Sequence, residues 1–354
     1  MLHLQDVLAA VGSIFNIVPM MIFAMSYGFL AAPTAIGYAI GTAGMLATGQ
    51  VMPISIQAGT IALVGTMGKA IKERLSMALY AGLIMAVVGS FGLIHSIMNF
   101  AGARIVFGMQ AGVGIILARV GVDMIKQDKF VGLISLVVAL IVYLPTQNLI
   151  YTVIASVTIS SIAYHIRRTE PMPSLVIEKY KLSIHKPILN FNVVRGTLAL
   201  ICLTVGSNIA FGNITAGMSG ATANIDALTV YSGLANLGAL FGGAPVEAVI
   251  SATGAAPNPM VAGALMMILM AIVLVTGLLP KLARLVPMHS IAGFLFIIGA
   301  FATLPGNAFN AFNGAERAEF LGAGIALLTT ALTDPFIGLV AGTAIRLLAP
   351  LLGL

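Results

Sequence analysis

The sequence carries very little charge. Only 8% of its 354 residues are Asp, Glu, Lys or Arg, whereas 59% are hydrophobic. A water-soluble domain could not solvate that much apolar surface, so the composition excludes a soluble protein and indicates one embedded in a lipid bilayer. Because the apolar runs are long and do not alternate with polar residues, helices are favoured over a β-barrel.

Residues that several other classes of protein need are also missing. The single cysteine, Cys202, lies in an apolar run and excludes an internal disulfide. There is no Walker A loop, dinucleotide fingerprint, His-Glu-x-x-His or Gly-x-Ser-x-Gly motif, so we predict neither an enzyme nor an ATP-driven pump. His95, His289 and Cys202 lack the spacing of a metal site, and we predict no metal and no cofactor.

The net charge of +6 comes from basic residues in short loops, without the aromatic residues that accompany nucleic-acid binding. We therefore predict no nucleic-acid partner. Met1 to Asp6 contain no basic residue of the kind that begins a signal peptide, so we expect the first apolar run to be retained as a membrane segment.

What the sequence does contain is an internal duplication. Residues 33–65 resemble residues 225–257, and four residues recur at one constant interval: Asn16, Gly28, Gly41 and Pro53 as Asn208, Gly220, Gly233 and Pro245. Each copy ends in a proline-led segment, Gly49–Thr60 and Gly242–Gly254. Short Gly/Pro-interrupted segments at matching positions in two halves of an apolar chain are typical of a membrane transporter's binding site. We predict that Pro53 and Pro245 each lead an extended stretch into a half-helix and mark the two half-helix starts.

The apolar runs predict fourteen membrane segments: 7–27, 33–50, 51–66, 75–95, 101–121, 130–145, 147–166, 195–219, 225–242, 243–258, 260–280, 288–304, 318–333 and 335–352. Because seven segments per repeat is an odd number, the second repeat must enter the bilayer from the opposite side. The predicted fold class is an all-α integral membrane protein with two inverted seven-segment repeats, 1–166 and 195–354. A polar basic linker, 167–194, joins them. The two half-helices should meet halfway across the membrane.

Lys and Arg are distributed unevenly over this path. Fourteen of the 17 fall on the side of the linker. By the positive-inside rule, the linker is predicted to be cytoplasmic and both termini to lie outside.

Polar residues in the two proline-led segments are the candidate solute ligands: Ser55, Gln57, Thr60, Glu247, Ser251 and Thr253. Glu247 is the only acid among them, and an acid within a membrane is usually functional. It could bind a substrate N–H, exchange the proton that couples transport, or cap its own half-helix. The neutral residues suit an uncharged or singly charged polar solute.

Three asparagines, which lie in the first spans of the two repeats, are further candidates. Asn16 and Asn208 are equivalent positions, and Asn213 follows on the second. They could line the solute cavity, or form interhelical hydrogen bonds between the repeats.

Several motifs resemble a known superfamily, the xanthine/uracil permeases together with the sulfate permeases. Gly242–Gly254 resembles the Gly-Gly-x-Pro motif of the nucleobase permeases, Ile225–Gly243 is similar to the segment before that motif, and Thr333–Ala349 looks like the final span of both families. The resemblance implies a fourteen-segment fold, with a core of segments 1–4 and 8–11 and a gate of segments 5–7 and 12–14. It also implies a secondary active transporter (permease) in the plasma (inner) membrane, coupled to H⁺ or Na⁺ and often a homodimer, with both termini in the cytoplasm.

The expected solute is a nucleobase such as a purine. However, the family's substrate-binding Glu falls on Ser251, and its other acid falls near Ile209. Pro245–Thr253 also resembles the sulfate permease pattern, with Ala252 in place of its arginine. The alternatives are therefore an oxyanion (sulfate- or molybdate-like) transporter and a channel.

Overall fold

A computed structural model of the chain describes residues 3–167, 183–277, 279 and 285–352. Its first repeat runs through α1 (Leu4–Ser26), α2 (Ala31–Ala47), β1 (Ile54–Ser55), α3 (Ala58–Met67), α4 (Ile71–Ser90), α5 (Ile94–Ala101), α6 (Ala103–Gln127), α7 (Lys129–Thr146) and α8 (Leu149–Arg167). Its second repeat runs through α9 (Phe191–Met218), α10 (Ile225–Ala235), β2 (Glu247–Ala248), α11 (Pro259–Val275), α12 (Met288–Phe312), α13 (Arg317–Leu332) and α14 (Pro335–Leu348). This element order follows the fourteen predicted segments.

Four of the described helices, α6, α7, α9 and α12, are each long and apolar enough to cross a membrane. α4 and α5 together make a fifth candidate span, bent by 100°. The bend was not predicted: segment 75–95 ends early, at Ser90, because Gly92 has a φ of +67° that interrupts the helix. The main-chain N–H of Ile94, at the start of α5, then donates to Asp226 at 3.2 Å.

Side-chain caps define where several helices begin. Asp128, Asn190 and Asp334 precede α7, α9 and α14, and each accepts a hydrogen bond from the N–H three residues later, at 3.1, 2.9 and 3.0 Å respectively. Such caps satisfy N–H groups that have no partner within the helix.

Ion pairs join residues that the predicted path places on the same side of the membrane. Opposite the linker, Arg104 of α6 lies 2.9 Å from Glu319 of α13. On the linker side, Arg195 of α9 lies 2.7 Å from Asp334 before α14. Both contacts agree with the alternating path, because a single missed or added crossing would separate the partners by the thickness of the bilayer.

The two repeats pack backbone to backbone where α4 meets α10. A Cβ on Gly82 would lie 2.5 Å from the carbonyl oxygen of Gly233, and a Cβ on Gly233 would lie 2.5 Å from that of Gly82. Only glycine fits at either position, and such small residues let membrane helices pack backbone to backbone.

Candidate functional site

The two proline-led segments meet as a two-stranded antiparallel ladder. β1 pairs with β2, with Ile54 opposite Ala248 and Ser55 opposite Glu247. The N–H of Val249 also donates to the carbonyl of Pro53 at 3.4 Å. All four strand residues are buried. The predicted meeting of the segments is confirmed, and main-chain hydrogen bonds join them at what we call the crossing, residues 53–55 with residues 247–249.

Neither proline begins a helix, which corrects the predicted half-helix starts. Pro53 precedes β1 and α3 begins only at Ala58, while Pro245 precedes β2. The physical reason is that the residues after each proline are drawn into extended conformation by pairing with the opposite strand. The segments are therefore strand followed by helix in the first repeat, and strand followed by a single turn in the second.

That single turn replaces the second half-helix. Residues Ala252–Ala255 form one turn of 3₁₀ helix, after which Ala256 is extended, with a ψ of 156°. Pro257 follows, and the residue before a proline avoids helical conformation. Ser251 caps the turn by accepting a hydrogen bond from the N–H of Thr253 at 3.2 Å. The alternative that Glu247 caps this segment is therefore wrong.

The N-terminus of α3, in contrast, has no cap. Gln57 precedes it with extended backbone and offers no side-chain hydrogen bond to the first turn. Its Nε2 instead donates to the carbonyl of Ala248 on β2, at 3.0 Å. Gln57 and Gly59 are half-buried, and a Cβ on Gly59 would lie 3.6 Å from Val113 of α6. The free amides and positive dipole end of α3 therefore lie at the crossing, next to α6.

Glu247 lies on the core side of the ladder. Its side chain is 2% exposed, and Thr60, in the first turn of α3, donates to its Oε1. Its Oε2 has no hydrogen-bond partner among the described residues. The carboxyl group borders a narrow cavity, lined by Thr204 of α9 and Asn236 after α10, in which about one water molecule fits. A buried carboxyl oxygen without a partner is costly, so this geometry suits a group that binds a proton or a ligand.

Ser55 points to α2 rather than into a cavity. Its Oγ lies 2.9 Å from the hydroxyl of Tyr38, which also accepts from the N–H of Ile56 at 3.3 Å. Tyr231 of α10 donates to the carbonyl of Met52 at 2.5 Å. The sequence analysis missed both tyrosines. The sequence did contain a signal for them, because a tyrosine hydroxyl within an apolar membrane segment needs a buried hydrogen-bond partner.

Asn208 is fully buried and joins α9, α10 and β2. Its Nδ2 donates to Thr229 and Ser232 at 3.1 and 3.3 Å, and its Oδ1 accepts from the N–H of Ala248 at 3.3 Å. These partners all belong to the second repeat. None of these hydrogen bonds therefore joins the two repeats, which was one of the two alternatives for the asparagines. Asn213 is exposed on the same helix. The Asn16 side chain lies outside the described residues.

Ser251 and Thr253 form a hydroxyl cluster with α1. Ser251 Oγ lies 3.1 Å from the Oγ of Ser13 and accepts from Thr253 Oγ1 at 2.8 Å. All three residues are buried. Their hydrogen-bonding groups therefore satisfy one another, and of the predicted ligands Gln57 is the one that is both partly exposed and next to the free end of α3. The described residues contain no group of three metal-binding side chains.

No known family model matches the chain, and no curated protein sequence does. Solved structures do match. A structure of SLC26A9 is 15% identical, with a TM-score of 0.70, and the match covers 99% of this chain and 65% of that one. The transmembrane domain of BicA, a cyanobacterial bicarbonate transporter, is also 15% identical, with a TM-score of 0.61 and coverage of 96% and 98%.

A structure of murine Slc26a9, described as an anion transporter, is 14% identical, with a TM-score of 0.66 and coverage of 99% and 68%. The chain has the fold of these membrane domains. It therefore spans about two thirds of the length of SLC26A9 and nearly all of the BicA transmembrane domain.

This likeness confirms the predicted fold class of inverted repeats. It gives no support to the narrower resemblance to xanthine/uracil permeases or to a nucleobase solute.

Proposed function

We propose that the protein is a secondary transporter in the plasma (inner) membrane that carries a small anion, bound at the N-terminus of α3 beside Gln57. The observation that carries this proposal is the uncapped first turn of α3 at the point where the two repeats cross. Free amides and the positive end of a helix dipole attract negative charge. The fold shared with a bicarbonate transporter and with an anion transporter supports the same reading.

The anion would carry a single negative charge. No Lys or Arg belongs to β1, β2 or the first turn of α3, and Ala252 stands where the sulfate permease pattern has arginine. The main chain alone provides positive potential, equivalent to about half an elementary charge at a helix end. This favours a monovalent over a divalent anion.

A nucleobase is less well supported by the hydrogen bonds. Asn208, Ser251 and Thr253, which were predicted to contact the solute, are engaged with other protein groups. A base would need several of those groups to be free, since polar groups of a site are specific only when they pair with the ligand.

In the transport cycle, a core of α1–α4 and α9–α11 would hold the anion, and a gate of α6–α8 and α12–α14 would provide the surface against which the core moves. The proximity of Gly59 to Val113 of α6 supports a solute site at the boundary between core and gate. Glu247 would couple transport to protons, so that H⁺ rather than Na⁺ would be the coupling ion. The protein would work as a homodimer.

The test compares Gln57→Glu with Gln57→Leu in purified protein reconstituted into liposomes. Both variants lose the hydrogen bond to Ala248, but only Glu adds a negative charge at the end of α3. At about 6 Å and an effective dielectric constant of about 20, that charge repels a bound anion by about 3 kcal/mol, or roughly a hundredfold in affinity. Uptake and counterflow of bicarbonate, nitrate, chloride, sulfate, molybdate and uracil are measured.

We expect a monovalent anion to be transported, with Gln57→Glu far more impaired than Gln57→Leu. Equal impairment of the two variants would refute anion binding at α3. Uptake of uracil alone would support the nucleobase interpretation, and flux without saturation or counterflow would indicate a channel.

A further inference from the structure

A segment on the linker side packs across the ends of α4 and α10. Residues 183–190 form neither helix nor strand, and the N–H of His185 donates to the carbonyl of Leu240 at 2.7 Å. The N–H of Ile188 donates to Ser76 Oγ on α4, at 3.0 Å. These main-chain hydrogen bonds fix the segment in place before α9 begins.

A shallow cleft lies beneath this segment. Its floor is apolar, formed by Leu75, Leu79, Ala239 and Leu240. Its rim is basic, formed by Lys72 of α4 together with His185 and Lys186. A site with a cationic rim and an apolar floor matches a molecule with an anionic head and an apolar body.

The charges on the rim are not neutralised within the protein. Neither Lys72 nor Lys186 has an ion pair with any carboxylate of the described ranges. The nearest acid in sequence, Glu73, is already engaged by the N–H of Lys69 at 2.7 Å and by Asn190 Nδ2 at 2.8 Å. The two lysines are therefore available to an external anion.

Large apolar side chains on this segment and at the start of α9 are exposed. Ile184, Leu189 and Phe191 are 71%, 72% and 79% exposed. Exposed apolar residues on both sides of a lysine are unfavourable in water, but suit the boundary between headgroups and acyl chains. This places the cleft at the level of lipid phosphates.

We propose that the cleft binds the headgroup of an anionic membrane phospholipid, with its phosphate at Lys72 and Lys186 and its glycerol backbone over Leu240. The site is separate from the α3 N-terminus and does not depend on the proposed solute. Leu240 lies two residues before Gly242, whose carbonyl accepts from the N–H of Leu30 at 2.8 Å. A lipid held here would stabilise the chain that leads into β2.

The experiment measures thermal unfolding of the full chain in detergent as short-chain phosphatidylglycerol is added. Parallel titrations use short-chain phosphatidylcholine and inorganic phosphate. The test variant is Lys72→Gln/Lys186→Gln, with Lys186→Gln alone as a milder form. The matched control is Lys126→Gln/Lys129→Gln, which removes the same charge on the same side at the α6–α7 turn.

We expect phosphatidylglycerol to raise the melting temperature of the wild type and the control. Each basic residue near an anionic headgroup contributes roughly fivefold, so the double variant should bind about 30-fold more weakly and Lys186→Gln about fivefold. An unchanged affinity in the double variant would overturn the proposal. So would an equal shift with phosphatidylcholine, or full reproduction of the shift by inorganic phosphate.

Discussion

Asn208 offers the sharpest test of how the crossing is held together. In Asn208→Leu, the side chain keeps a similar size but loses its three hydrogen bonds, to Thr229, Ser232 and the N–H of Ala248. The N–H of Ala248 would then be buried without its partner, at a cost of about 1–3 kcal/mol, and the two hydroxyl groups would lose a donor each, at about 0.5 kcal/mol. The expected loss of stability is about 2–4 kcal/mol.

The matched control is Asn213→Leu, five residues later on α9, where the side chain is exposed. Surface substitutions of this kind change stability by about 0.5 kcal/mol or less. The chain has no tryptophan and one cysteine, Cys202, which lies on α9 as well. A thiol-reactive dye that reports the exposure of Cys202 on heating is therefore a suitable assay.

At about 2 °C per kcal/mol, Asn208→Leu should melt about 4–8 °C below the wild type, and Asn213→Leu within about 1 °C of it. The reasoning would be refuted if both variants melted at the same temperature. It would also fail if Asn208→Leu unfolded normally and instead lost only affinity for solute, since that would make Asn208 a ligand.

Two further predictions concern the chemistry of the crossing. Glu247→Gln keeps an oxygen to accept the hydrogen bond from Thr60 but cannot exchange a proton, so uptake should lose its dependence on a pH gradient; full dependence in the variant would exclude Glu247 as the coupling group. Ala252→Arg adds a cation at an exposed position of the turn after β2, so the ratio of divalent to monovalent anion uptake should rise roughly tenfold, whereas in the neutral control Ala252→Gln it should not change.

The sequence was sufficient to predict the path of the chain but not the contacts at the crossing. The constant interval between Pro53 and Pro245 predicted that the two segments would meet, because inverted repeats place equivalent positions around one axis. It did not predict the ladder. Strands of two residues leave no periodic pattern, and their partners are far apart in the sequence.

Similarly, sequence reasoning could not separate Asn208 from Asn213. Both are amides on one apolar helix, and only packing against α10 and β2 decides which is buried. The difference between the two segments was equally hidden. Pro257 gave a local reason for the short turn in the second segment. The extended backbone after Pro53 and Pro245 depends on pairing with the opposite strand, which is a tertiary contact that a local sequence pattern does not reveal.

The divergence of the two repeats suggests how coupling would arise. One segment ends in a helix with free amides, and the other contributes the acid. Thr60 belongs to the first turn of α3 and donates to Glu247, so a single hydroxyl joins the two. An ionised Glu247 would repel an anion at the end of α3, whereas a protonated one would not. Because such coupling is reciprocal, binding the anion would favour binding the proton, and the two would cross the membrane together as a neutral pair.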